Sequence, residues 1–150
     1  MKLSSVLSIC LIASTGWAAI PPLEPDALRR TADVVIVGGI EDFSSVETRR
    51  KNGLEQTHFA VQVKVHAVEK GVPSLAGKTI TVHGWNVRSM PAGWTGPSGH
   101  HTIDYDQTLR QILQCSAKAP VRARFYLSVR EKEKHILLEP NGLEVIEPER

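Results

Sequence analysis

His100 and His101 stand close before Asp104 and Asp106, so imidazole and carboxylate ligands fall within a few residues. Zinc accepts such a set. His83 is a further imidazole that a neighbouring strand can bring near. The spacing argues against a tight site. Adjacent histidines in extended backbone point to opposite sides, none of the strong metal-site spacings is present, and Asp104 is already placed to cap a helix. A metal-binding protein or metal-dependent enzyme using His100 and His101 is therefore the second reading. Nucleophilic chemistry has less support. Ser98, in Gly-Pro-Ser-Gly, lacks the strand–turn–helix setting of a nucleophile elbow. Cys115 lies at the edge of an apolar helix stripe, without the electropositive surroundings that activate a thiol, and is expected as a small core residue. Val34–Gly39, VVIVGG, opens like a dinucleotide fold, but no further glycines follow. Glu41 and Asp42 beside that loop would repel a phosphate. The first reading is a non-catalytic binding module with no cofactor.

Binding rests on an aromatic–cation group. Trp85 and Arg88 precede the segment Ser89–His101, SMPAGWTGPSGHH, and Trp94 sits in its middle. Its glycines and prolines exclude regular structure and favour successive tight turns. Aromatic residues and arginine are enriched in contact hot spots. The expected ligand-binding residues are Trp85, Arg88, Trp94, His100 and His101. Trp94 can equally fold back as a lid over the domain. Arg122, Arg124 and Arg130 line the outer face of one strand, free for a ligand or paired with acids on neighbouring strands.

These residues need elements to hold them. Phe59–Lys70, FAVQVKVHAVEK, alternates Phe59, Val61, Val63, Val65 and Ala67 against Gln62, Lys64 and His66. That period predicts a half-buried strand. Within Ala32–Ile40 the run Val34–Val37 is apolar on both parities, so both its faces must be covered or the strand passes through a closed barrel, and Gly38-Gly39 permits a bend or bulge. Glu41–Thr57 reads as a solvated hairpin connection with Asn52-Gly53 at its turn. In Thr79–Arg88, a bulge at His83-Gly84 would return Trp85 and Val87 to the core side. Tyr105, Leu109, Ile112, Leu113 and Ser116 recur at helical spacing, with Pro120 as the stop. Val121–Arg130 alternates again, with Ala123, Phe125 and Leu127 inward and Tyr126 outward. Glu131–Lys134 is a charged turn, Ile136–Leu138 a return strand, and Leu143–Ile146 a last short strand. Asp26 is expected to cap a helical turn over Ala27–Arg30.

The chain has 150 residues, 41% hydrophobic and 23% charged, with a formal net charge of +2. That length suits one domain. A near balance of charge argues against a nucleic-acid partner. Lys2, the apolar run Val6–Ala13 and the small residues Gly16 and Ala18 compose a secretory leader, with cleavage expected after Ala18. The run is too short to span a membrane. The expectation is an exported monomer, secreted or periplasmic: residues 1–18 as leader, 19–31 as a proline-rich segment, and 32–147 as the domain. Cys10 leaves with the leader, so no internal disulfide forms.

A helix between the third and fourth of about five strands is the layout of an OB-fold barrel. ADVVIVGGI, FAVQVKVHAVEKG and GKTITV resemble the first three strands of netrin-like and metalloproteinase-inhibitor-like OB domains. The chain also resembles a group of uncharacterised secreted bacterial proteins. They share a loop matched here by Trp85, Arg88, Pro91, Gly93, Trp94, Gly96, Pro97 and Gly99, and a later Pro-Asn-Gly matched by Pro140–Gly142. The resemblance implies a mainly β, OB-like five-stranded barrel. It does not carry over metalloproteinase inhibition, because the mature start, Ala19-Ile20-Pro21, has no cysteine to chelate a zinc. The implied partner is a protein or polysaccharide.

Overall fold

A computed structural model describes residues 22–51, 53–89, 93, 105–118, 120–139 and 141–146. The leader, most of the Gly/Pro-rich segment and the Asp104 cap lie outside these residues. So do the side chains of Ser45, Lys51, Arg88 and Ser89. The described chain is mainly β: helix α1 (Pro25–Thr31), strands β1 (Val34–Lys51), β2 (Leu54–Lys70) and β3 (Thr79–Ser89), helix α2 (Tyr105–Ser116), then β4 (Arg122–Arg130), β5 (Lys134–Leu137) and β6 (Leu143–Ile146).

The sheet closes on itself. Strand order runs β1-β2-β3-β5-β4, and β4 pairs back onto β1 from Val34↔Leu127 to Gly38↔Ala123. Every neighbour pair is antiparallel except β3–β5, which is parallel through Val82↔His135 and His83↔Ile136. The opposite edge of β4 is shared: β5 takes Leu127–Arg130 and β6 takes Arg122–Phe125. α2 lies between β3 and β4 in sequence and packs on β1 and β3.

The strand periods produce this closure. Val34, Ile36, Phe59, Val61, Val63, Val65, Val82, Ala123, Phe125 and Leu127 point into one core, with Tyr105, Leu109 and Ile112 of α2 among them. Val35, on the opposite parity of β1, packs outside the ring with Leu28, Ala32 and Tyr126. Both faces of Val34–Val37 are covered, as its unbroken apolar run requires. Tyr126 was expected outward in solvent, yet it is 2% exposed. The α1 helix covers the outer face of β4 at that point. This helix begins at Pro25, whose fixed φ suits a first helical position, so Asp26 sits inside the first turn instead of capping it.

Three further features differ from the expectation. Glu41–Thr57 is a hairpin as expected, but its arms are strands: β1 and β2 stay paired out to Lys51↔Leu54, with register shifts at Ile40/Asp42 and Phe43/Ser45. A ribbon wetted on both faces carries no apolar alternation, so its strands leave no periodic trace. The β2–β3 ladder also runs unbroken from Lys64↔Thr79 to Gln56↔Val87, with no bulge at His83-Gly84. Gly84 therefore stays inward, and Trp85 and Val87 stay outward. Phe59 supplies the volume: a Cβ on Gly84 would lie 2.3 Å from the Phe59 Cζ. The next inward residue is polar, and Asn86 Oδ1 accepts a hydrogen bond from the Tyr105 N–H at 3.3 Å. Lastly, Cys115 is exposed. At 100° per residue it lies roughly 90° around α2 from the centre of the buried stripe.

Side-chain bonds fasten the outer layers. Asn141 accepts from the Leu23 N–H and donates to the Leu23 carbonyl, each at 2.9 Å, holding the N-terminal segment as a strand residue would. Arg124 reaches Glu69 at 2.9 Å and Glu144 at 2.7 Å, and Arg29 meets Glu69 at 2.7 Å. Hydrogen bonding from Arg124, ahead of that from Arg29, holds the Glu69 carboxyl below the usual glutamate value despite its partial burial. A depressed carboxylate contributes stability above its unfolded pKa and loses it as the pH falls through the folded one. Arg124→Ala is expected to cost about 1–2 kcal/mol at neutral pH, discounted for partial exposure. In urea titrations this deficit shrinks as the pH drops below the ordinary 4.5.

Candidate functional site

The outer parity of the β1–β2–β3 meander carries a different chemistry from the core. Register places Glu47 opposite His58, and His58 opposite Trp85. One step along, Arg49 faces Gln56, which faces Val87. In the other direction Ala60 faces His83. Because side chains alternate, Arg49, His58, His83 and Trp85 share one surface, while Phe59, Thr57 and Asn86 occupy the other.

Beyond His83 the parallel strands β3 and β5 part. β3 continues to Ser89, while the chain after β5 turns through Leu138 and Glu139. The gap is a cleft of about 600 Å³, floored by His83, Gly84 and Trp85 and walled by Arg49 and His58 on one side. Arg130, Lys134 and Ile136–Glu139 form the other side. A smaller hollow of about 180 Å³ extends it toward Glu47.

The cleft is basic. Arg49 is bonded to Glu47 on its own strand. Arg130 and Lys134 have no ion-pair partner among the described residues. The two are brought together because a short turn, Glu131–Glu133, returns the chain from β4 into β5. Burial lowers the pKa of His58, and Arg49 lowers it further against the opposing pull of Glu47, with Lys134 adding to the lowering. Burial also lowers that of His83, with Lys134 and His135 adding to the effect. Burial pushes the Glu139 carboxyl up to about 7. At neutral pH the cleft thus presents three fixed cations, two largely neutral imidazoles and one carboxylate that is partly protonated. Such walls attract and orient anions, and the indole supplies a flat apolar contact.

Of the residues expected to bind a ligand, Trp85 lies in this cleft. Arg88 lies three residues further along β3, with its side chain outside the described part. Trp94, His100 and His101 lie outside the described residues, as does the metal reading built on the histidine pair. Among the described residues no group of three or more metal-ligating side chains comes together. Arg124, one of three strand arginines, is committed to Glu69 and Glu144, whereas Arg130 faces the cleft. Arg49, His58, Lys134 and Glu139 were not singled out from sequence. Arg49 sits in a basic triplet and Lys134 in a charged turn, both patterns of ordinary wet loops. Only the strand register joins them.

No helix of the described residues is long and apolar enough to cross a membrane. Comparison of the chain with family models, with curated proteins and with solved structures finds no match.

Proposed function

We propose that the protein is an exported, non-catalytic binding module of OB-like architecture, and that the cleft between β3 and β5 takes an anionic partner, a polysaccharide or an acidic protein surface. Three features support the OB-like reading. The ring order is β1-β2-β3-β5-β4, β3 and β5 meet in parallel, and a helix stands between β3 and β4. β6 is then an addition beside β4. OB barrels bind oligosaccharides and oligonucleotides on the face of strands 2 and 3, between the first hairpin and the turn joining strands 4 and 5. His58, His83 and Trp85 occupy that face here, with Arg49 on the first hairpin and Arg130 and Lys134 at the later turn.

The observation that carries the binding reading is that one cleft holds Trp85 together with two cations, Arg130 and Lys134, that have no ion-pair partner among the described residues. A half-buried indole beside solvated cations offers a flat apolar contact and positive charge together, which suits a ligand with an apolar face and anionic groups. The test is titration of the mature protein with dextran sulfate and with neutral dextran, read by tryptophan emission and calorimetry. Dextran sulfate is expected to bind, more weakly as salt rises, and neutral dextran is not. Trp85→Ala should weaken binding about tenfold, the scale of an aromatic contact, and leave the thermal midpoint nearly unchanged. Equal response to both polymers would defeat the proposal.

A further inference from the structure

The cleft places three titratable side chains from three elements around one ligand volume: His58 on β2, His83 on β3 and Glu139 after β5. All three lie among fixed cations. Glu47 and Arg49 of β1 and Lys134 at the head of β5 act on His58. Lys134 and His135 of β5 act on His83, whose register partner on β2 is Ala60, with His58 of β2 sharing the cleft beside it. Glu139 shares the cleft with Arg49, Arg130 and Lys134. Among the described residues His83 has no hydrogen-bonded partner, and His58 has only the Gln56 amide oxygen at 3.3 Å. Neither imidazole is therefore locked in its neutral form by a bonded network.

We infer that the cleft is an acid-strengthened anion trap, in which His58, His83 and Glu139 together set how tightly an anionic ligand is held. This rests on the proposed binding reading and adds its regulation. The sign follows from charge. As the pH falls, Glu139 loses its negative charge and the two imidazoles gain positive ones, so the cleft becomes more positive by up to three charges. In the empty cleft each imidazolium sits beside cations and resists forming. An anion relieves that repulsion, so binding raises the proton affinity of all three groups. Reciprocity then requires that protons raise the affinity for the anion. Burial and neighbouring cations that lower both imidazoles, with burial raising the carboxyl, place the change on the acid side of neutrality.

The experiment uses sulfated dextran, whose charge does not vary between pH 5 and 8, so any change belongs to the protein. Wild-type affinity is expected to rise at least about tenfold from pH 7.5 to pH 5.5, since a tenfold change needs the three pKa values to move by only about one unit in sum. At pH 6.5 the binding enthalpy should vary with the ionisation enthalpy of the buffer, reporting net proton uptake. The triple variant His58→Asn/His83→Asn/Glu139→Gln should bind with an affinity that is flat with pH to within about twofold, and without proton uptake. A wild-type affinity that does not change with pH overturns this inference and leaves the binding reading standing. A rise that persists in the folded triple variant also overturns it, because the titration then lies elsewhere. Absence of binding at every pH overturns both. Should the triple variant fail to fold, proton uptake by the wild type decides, and none at pH 6.5 is a negative result.

Discussion

Gly84→Ala is expected to destabilise the protein by about 3 kcal/mol or more, the upper end of the cost of overpacking a tight core. The added methyl would lie 2.3 Å from Cζ and 2.7 Å from Cε2 of Phe59, with Cε1 at 3.1 Å. These are ring atoms of a side chain only 2% exposed, so no flexible tip can swing aside. Tyr105 blocks retreat: its ring stands edge-on to Phe59 with centroids 6.3 Å apart. Tyr105 is itself fixed, its hydroxyl donating to the Leu138 carbonyl at 2.8 Å and accepting from the Gly142 N–H at 2.7 Å. A loss of this size lowers the thermal midpoint by on the order of 10–20 °C. Combining the change with Phe59→Leu should recover part of it, because the leucine vacates the space the methyl needs. If the single variant melts within a few degrees of wild type, Phe59 does not fill the position above Gly84.

The second large effect is on binding. Arg130→Glu with Lys134→Glu should reduce affinity for dextran sulfate at least about a hundredfold, roughly 1.4 kcal/mol for each reversed charge. The double change turns one wall of the cleft from cationic to anionic while Arg49 remains opposite. Neither side chain has an ion-pair partner among the described residues, so folding loses little. An unaltered midpoint with lost affinity separates recognition from stability. Undiminished binding would place the anion site away from β3 and β5.

The parts of this molecule that the sequence discloses are those where burial imposes a period. Val61, Val63 and Val65 alternate with Gln62 and Lys64 because one face must be dry, and α2 repeats Tyr105, Leu109 and Ile112 for the same reason. Asn52-Gly53 marks the hairpin by its chemistry, and Gly53 has a φ of 77°, but the strands leading to it leave no period. Glu47, Arg49 and Thr48 are exposed on β1, and hydrogen bonding alone keeps them extended. The sequence marks Trp85 as a ligand residue yet points it to the core side, since its size favours burial and Gly84 reads as a break. The missing volume at Gly84 is filled from Phe59 on the adjacent strand, which no local window contains. The cleft fails to show for a similar reason. Its residues come from positions 49, 58, 83–85, 130, 134 and 139, and only the register of a closed sheet makes them neighbours.

Gly84 touches Phe59 on one side and lines the cleft on the other, so a single thickness of backbone separates the hydrophobic interior from the cleft. Odd and even positions of the same strands consequently answer to separate demands. Substitutions at 49, 58, 83 and 85 change the chemistry of the cleft wall, while 57, 59, 84 and 86 answer for the fold beneath. The character of such a wall can drift without remodelling the scaffold, provided that each change keeps to its own side.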